Sequence, residues 1–181
     1  AAIAAQAASL VRDGQSVLLD SGTTTLAVAR ALRGGGRRLT VITSSLPIAS
    51  ELQYCASIEL VLLGGTLRRE APDLIGPLTE TNLEGLRADI AFVGADAVGP
   101  DGAVYNRSMA VARMLGRMTA AAREVYVVAD HTKLGQTALA RFGRLADWKG
   151  LITDCAPAKD LAKRLRDAGV TVWVDRRAST K

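Results

Sequence analysis

Histidine occurs once in this 181-residue sequence, at His131, and cysteine twice, at Cys55 and Cys155. The cysteines are far apart and form no CxxC pair. Neither a disulfide framework nor a Cys/His metal cluster is indicated, and no metal site is expected. Two free thiols suit a reducing cytoplasm, which is the expected compartment. One histidine leaves a single candidate base for serine-type catalysis, and no GxSxG turn supplies the serine. Beside Asp130, His131 reads as a polar loop residue. Aromatics make up only 4% of the chain, too few for the stacking platforms that hold single-stranded nucleic acid. Long apolar runs are absent as well. The longest stretch without a charged residue is Leu39 to Ser50, whereas a membrane span needs about 20 apolar residues. No membrane partner is expected. With no initiator Met and no signal segment, the chain reads as a fragment that opens inside a helix.

The charge that is present is basic, +5 with a pI near 9.6. The arginines are scattered, however. Arg37-Arg38, Arg68-Arg69 and Arg176-Arg177 are the only doublets, and none grows into the clustered stripe of a nucleic-acid footprint. No specific duplex binding is expected of these residues.

Apolar segments alternate with helical periodicity along the whole chain. Strands are predicted at Ser16–Asp20, Leu39–Thr43, Ile58–Leu63, Asp89–Val93, Glu124–Ala129, Gly150–Thr153 and Val170–Val174. Helices are predicted at Ala1–Arg12, Thr25–Leu32, Pro47–Leu52, Leu78–Leu86, Met109–Ala122 and Ala158–Ala168. Strands apolar on both faces, interleaved with helices, predict one α/β domain: an open, mostly parallel sheet covered by helices on both faces. The chain is long enough for one such domain, spanning 1–181, and shows no repeat or linker.

In such sheets ligands sit beyond the carboxyl ends of the strands. Five consecutive predicted strand ends carry small hydroxyl residues, glycines, aspartates or a lysine. Asp20-Ser21-Gly22-Thr23-Thr24-Thr25 combines a glycine, hydroxyls and a helix N-terminus, the parts of a phosphate cradle. It equally fits a plain capping turn. Neither GKS/T nor GxGxxG is present, so ATP and NAD are unsupported and no cofactor is expected. Thr43-Ser44-Ser45 offers the same two readings. Gly64-Gly65 and Arg68 can bring backbone and a guanidinium to the same end, and Gly94-Ala95-Asp96 adds a carboxylate. Lys133, the only lysine before Lys149, is placed to hold an anion. This is the equipment for an anionic polyol.

The ordered series DSGTTT, VITSSLPIASEL, LVLLGGTLRRE, LIGP, ADIAFVGADAV, AAREVYVVADHTKLG and LITD resembles the C-terminal sensor domain of DeoR-family bacterial transcriptional repressors. The likeness runs from about Ala4 to about Asp154. It implies a fold similar to ribose-5-phosphate isomerase and the CoA-transferases, and a module that binds a phosphorylated sugar or related anionic metabolite. That module would control an attached N-terminal winged helix-turn-helix absent from this chain, the only route to operator DNA. The implied effector site comprises Asp20 to Thr25, Thr43, Ser44, Ser45, Gly64, Gly65, Gly94, Asp96 and Lys133, to which Arg68 and Asn106 are added as candidates from their place in the sequence. The chain departs from the family at Ser44, where Asn is usual, and at Ala97, where Gly is frequent. The stretch around Asn106 also lacks the acidic residue that often opens the long helix.

The competing reading is a sugar-phosphate isomerase with Asp96 as general base and Lys133 as phosphate or enolate stabiliser. No second acid/base carboxylate with a clear role accompanies Asp96, which favours a sensor that catalyses nothing. A homo-oligomer is expected, because operator half-sites mirror a protein two-fold. The candidate contacts are the nearly uncharged Ala1–Leu10 helix and the last strand, with Trp173.

Overall fold

A computed structural model describes residues 1–174. The Arg176-Arg177 doublet lies outside them. In chain order the elements begin with α1 (Ala2–Ser9), β1 (Ser16–Leu19), α2 (Thr23–Arg33), β2 (Leu39–Thr43), α3 (Leu46–Leu52) and β3 (Ile58–Leu62). A hairpin of β4 (Thr66–Leu67) and β5 (Leu74–Ile75) leads to α4 (Pro77–Glu84) and β6 (Ala88–Gly94). Next come β7 (Ala97–Val98), β8 (Ala103–Asn106), α5 (Met109–Ala120), β9 (Ala122–Val128), a 3₁₀ turn His131–Lys133 and β10 (Ala140–Arg144). A second 3₁₀ turn, Leu145–Asp147, precedes β11 (Gly150–Thr153), α6 (Lys159–Asp167) and β12 (Val172–Val174).

The main sheet has seven strands in the order β12-β11-β9-β6-β1-β2-β3. Every pairing in it is parallel. Alternation along each strand explains the two layers of core. In β6, Ile90 and Phe92 face α1, α2 and α3, together with Val17, Leu19 and Tyr126. Ala91 and Val93 face the opposite way, onto Leu83 of α4, Met114 and Leu115 of α5 and Leu165 of α6. The expected doubly covered α/β sheet is therefore the observed one.

Two features were not legible in the apolar pattern. The two-residue strands of the β4–β5 hairpin are too short to show alternation, and so is β7 in the small antiparallel sheet β10-β8-β7. The surplus apolar face expected of the first helix is also absent. Ile3, Ala4, Ala7 and Ala8 are buried in the core shared with α2. The last strand does end the sheet among the described residues, but Trp173 sets its ring edge-on to Tyr126 at a centroid distance of 6.2 Å. Both proposed contact elements pack on their own core.

Chain reversal in the sheet fixes where a ligand can sit. From β1 the chain moves outward through β2 to β3, then returns to place β6 on the other side of β1. The carboxyl ends of β1 and β6 thus flank a topological switch point, where the loops leave in opposite directions and open a crevice.

Candidate functional site

Asp20 stands at the end of β1 and is buried. Its Oδ1 accepts from the Ser21 amide at 2.6 Å and its Oδ2 from the Gly94 amide, at the end of β6, at 3.0 Å. One carboxylate thereby clamps both sides of the switch point. Gly94 eases this approach, since a Cβ there would lie 3.2 Å from Asp20 Oδ2 and press the carboxylate back by a few tenths of an ångström. Burial pushes the Asp20 carboxyl up to about 7, against the two amides that pull it down. Neighbouring Asp73 pushes the same way as burial, and Arg68 opposes it.

The helix expected from Thr25 begins two residues earlier, at Thr23, with Gly22 as N-cap and no side chain capping it. Its first internal bond runs from the Leu26 amide to the Gly22 carbonyl. The amides ahead of Leu26 therefore lack intrahelical partners, as helix geometry requires. With the positive end of an 11-residue helix behind them, they form a ready anion seat. Thr23 is exposed and Thr24 half-buried, whereas the Thr25 hydroxyl turns inward to the Gly22 carbonyl at 3.1 Å. In this loop the Thr25 hydroxyl is spent on the Gly22 carbonyl, and the anion-binding equipment is the backbone from Gly22 to Thr24.

The second loop resolves towards capping. Thr43 Oγ1 accepts from the Ser45 amide, and Ser45 Oγ caps α3 by accepting from Ile48 N. Ser44 is different. It is fully buried, and among the described residues its hydroxyl has no partner. By strand register it follows the pair Leu19 and Thr43, beside Asp20.

A residue not singled out in the sequence organises the next part. Asp73, fully buried, bridges Ser45 and accepts from the Ser21 hydroxyl. It also receives Arg68 in a fork, Nε to Oδ1 at 2.7 Å and Nη2 to Oδ2 at 2.9 Å. Arg68 is thus engaged with Asp73 through Nε and Nη2, a partner that the sequence reading did not give it. The signal was a lone aspartate between Pro72 and the apolar Leu74-Ile75. Gly64 donates its amide to Asn82 and receives the Thr79 hydroxyl at 2.6 Å on its carbonyl. Gly65 has φ +156° and no room for a side chain: a Cβ would lie 2.0 Å from Thr79 Oγ1. The glycine pair therefore serves the close approach of α4 to β3.

Asp96 follows β6, half-buried, with Oδ2 accepting from the Arg107 amide at 2.8 Å. Asn106 Oδ1 accepts from the Ser108 amide, one residue before α5, so its carbonyl oxygen serves the chain turn. After β9, Asp130 caps the 3₁₀ turn that carries Lys133. Lys133 is half-buried and forms no ion pair among the described residues. The loops after β9, β6, β1, β2 and β3, neighbours in that order, bring the predicted residues to one edge of the sheet. At that edge Arg68 and Asp73 offset each other, and burial disfavours the charged form of Asp20, while Asp96 and Asp130 stand without an ion pair among the described residues.

The fold also makes a cluster that spacing hides. His131 and Asp154 are 23 positions apart, yet His131 Nδ1 lies 2.9 Å from Asp154 Oδ2, with Cys155 alongside. The expectation of no Cys/His grouping is corrected on that geometry. Elsewhere, a cleft of about 440 Å³ lined by Leu83 to Arg87, Arg117, Ala120 and Ala121 opens at the amino ends of β6 and β9, away from the loops described above. No helix among the described residues is long and apolar enough to cross a membrane.

Residues 1–155 match the family model of the DeoR C terminal sensor domain. The chain is 34% identical over 94% of its length to the HTH-type transcriptional repressor CsqR of Escherichia coli, and 37% identical over 94% to the HTH-type transcriptional regulator GlpR of Haloferax volcanii. It spans 65% and 66% of those two proteins. It is 32% identical over 86% of its length to a glycerol-3-phosphate regulon repressor of Haemophilus influenzae, spanning 60% of that protein. Among solved structures, ribose 5-phosphate isomerase A of Methanocaldococcus jannaschii aligns with a TM-score of 0.54 over 73% of this chain and 52% of that one. At 23% identity that likeness concerns the fold.

Proposed function

The chain belongs to the family of DeoR C-terminal sensor domains, and from that premise we propose that it senses a phosphorylated sugar or a related anionic metabolite at the carboxyl ends of β1 and β6. One observation carries the reading. The amide-rich start of α2 lacks a side-chain cap and sits at the switch point clamped by Asp20 and Gly94. The phosphate takes the amides from Gly22 to Thr24, and Lys133 supplies the cation from the neighbouring strand end. Thr23 and Thr24 add hydroxyl donors, while Asp96 accepts from sugar hydroxyls. The Haemophilus influenzae relative, a glycerol-3-phosphate regulon repressor, supports a phosphoester ligand.

In the full-length protein the ligand's differential affinity for two states shifts the attached helix-turn-helix between them. Operator DNA is reached through that N-terminal part, and the working protein is a homo-oligomer. The isomerase reading draws on fold alone, whereas the relatives by sequence are transcriptional regulators. Thermal shift with matched pairs of phosphorylated and neutral sugars tests the proposal. Stabilisation by the phosphorylated member of a pair is expected, with none by its neutral counterpart; equal stabilisation by both overturns it. Turnover of pentose or hexose phosphates would return the isomerase reading.

A further inference from the structure

We propose that His131, Asp154 and Cys155 form a binding site for a borderline-soft divalent cation such as Zn²⁺, a site independent of the sensor reading. The three residues offer one nitrogen, one oxygen and one sulfur, and these ligand atoms all lie within 4.8 Å of one another. Around a tetrahedral ion with bonds of about 2.0–2.3 Å, ligand atoms stand about 3.3–3.6 Å apart. Closing the cluster on an ion therefore takes ligand-atom shifts of about 1 Å. Nδ1 and Oδ2, now 2.9 Å apart, open by a few tenths of an ångström, while the thiolate swings in.

The frame is already rigid. β9 and β11 are paired neighbours, and the Ala129 amide bonds to the Ile152 carbonyl at 3.1 Å, where both strands end. Asp154 Oδ1 is occupied by the His131 amide at 2.8 Å and the Thr153 hydroxyl at 3.2 Å. Oδ2 is therefore the oxygen left for the ion, and the orienting bonds to Oδ1 are of the kind that fix a ligating carboxylate. The donor set selects the ion. Imidazole and thiolate suit Zn²⁺ or Co²⁺, whereas Mg²⁺ and Ca²⁺ require oxygen ligands. Three protein ligands leave a fourth position open, as in sites that accept an exogenous ligand. Binding breaks the S–H bond and releases that proton to solvent, and the Nδ1 proton that now faces Asp154 leaves to solvent from the imidazolium or is replaced by one on Nε2 in the neutral ring. In the plainer arrangement, where His131 and Asp154 merely tie two loops together, Cys155 has no part. That difference makes the cluster testable.

The test is titration of the reduced 1–181 chain with Co²⁺ alone, followed by absorption. One equivalent is expected to give tetrahedral d–d bands and a thiolate-to-cobalt charge-transfer band, which Zn²⁺ then displaces. Cys155→Ser is expected to abolish the charge-transfer band, Cys55→Ser to leave it unchanged, and His131→Ala to weaken Co²⁺ binding at least tenfold. A second measurement needs no variant: Zn²⁺ should protect Cys155 from alkylation in the parent chain, with Cys55 as internal reference. A spectrum without charge transfer, a band that survives Cys155→Ser or is lost in Cys55→Ser, or equal alkylation of both thiols overturns the site. Failure of phosphosugar binding leaves this result unaffected, because cobalt is the only ligand added.

Discussion

Asp73→Ala should be among the most damaging single changes near the effector site, although the residue faces no ligand. The side chain is fully buried and holds Arg68 in a two-bonded fork, with the Ser21 hydroxyl on one of the same oxygens. Removing one partner of a buried pair costs about 3–5 kcal/mol, because the other charge is left uncompensated. Arg68 keeps 23% of its side-chain surface in water and can partly resolvate, which brings the charge component to about 2 kcal/mol. Loss of the Ser21 bond adds about 1 kcal/mol. A loss of about 3 kcal/mol in a domain of this size lowers Tm by about 6–12 °C. Urea unfolding of the parent and the variant measures it. The double variant Arg68→Met, Asp73→Leu removes both charges and should recover more than half of the loss, since apolar replacements of a buried pair are often neutral. A loss under about 1 kcal/mol for Asp73→Ala, or a double variant as unstable as the single, would refute the reasoning.

Three further outcomes follow from the same geometry. The carboxyl of Asp20 is raised to about 7 in the fold, so its contribution is complete below its unfolded value and is lost as pH rises towards 7. Asp20→Asn should therefore gain about 2–3 kcal/mol relative to the parent between pH 5 and pH 8 in urea unfolding, and a pH-independent difference would contradict the raised value. Gly65→Ala forces a Cβ to 2.0 Å from Thr79 Oγ1 and 2.8 Å from the Ile75 carbonyl. It should cost at least about 2 kcal/mol by strain and overpacking, and a variant melting with the parent would show that α4 yields freely. Lys133→Ala should weaken phosphoester binding by about 1.5–3 kcal/mol in calorimetry and leave Tm nearly unchanged, whereas unaltered affinity would make Lys133 an ordinary surface lysine.

What could be read from the sequence is what repeats along it. Ile90-Ala91-Phe92-Val93 is apolar on both faces, which only a doubly covered strand tolerates, and the strands β2 and β11 fall where the apolar runs place them. Side-chain partnerships were less legible. Thr25, Thr43 and Ser45 carry the same hydroxyl chemistry as Thr23 and Thr24, yet the first three spend it on their own backbone. Local sequence cannot separate the two uses, because capping and anion binding need the same atoms. Arg68 shows the limit most clearly. Its guanidinium is engaged by Asp73, five residues on, across a hairpin whose strands are two residues each. Long-range meetings such as Asp20 with Gly94, or His131 with Asp154, exist only once the sheet order is known.

Backbone amide shifts read most directly where the anion sits. The measurement is a titration of the ¹⁵N-labelled chain with a sugar phosphate that stabilises it in the thermal-shift screen, monitored by amide correlation spectra. The largest shifts are expected at Gly22, Thr23 and Thr24, with Gly94 and Lys133 moving along the same binding curve, and the matched neutral sugar should leave all of them in place. Shifts concentrated at the opposite end of the sheet, around Leu83 to Arg87 and Arg117 to Ala121, would contradict a site at the β1–β6 switch point.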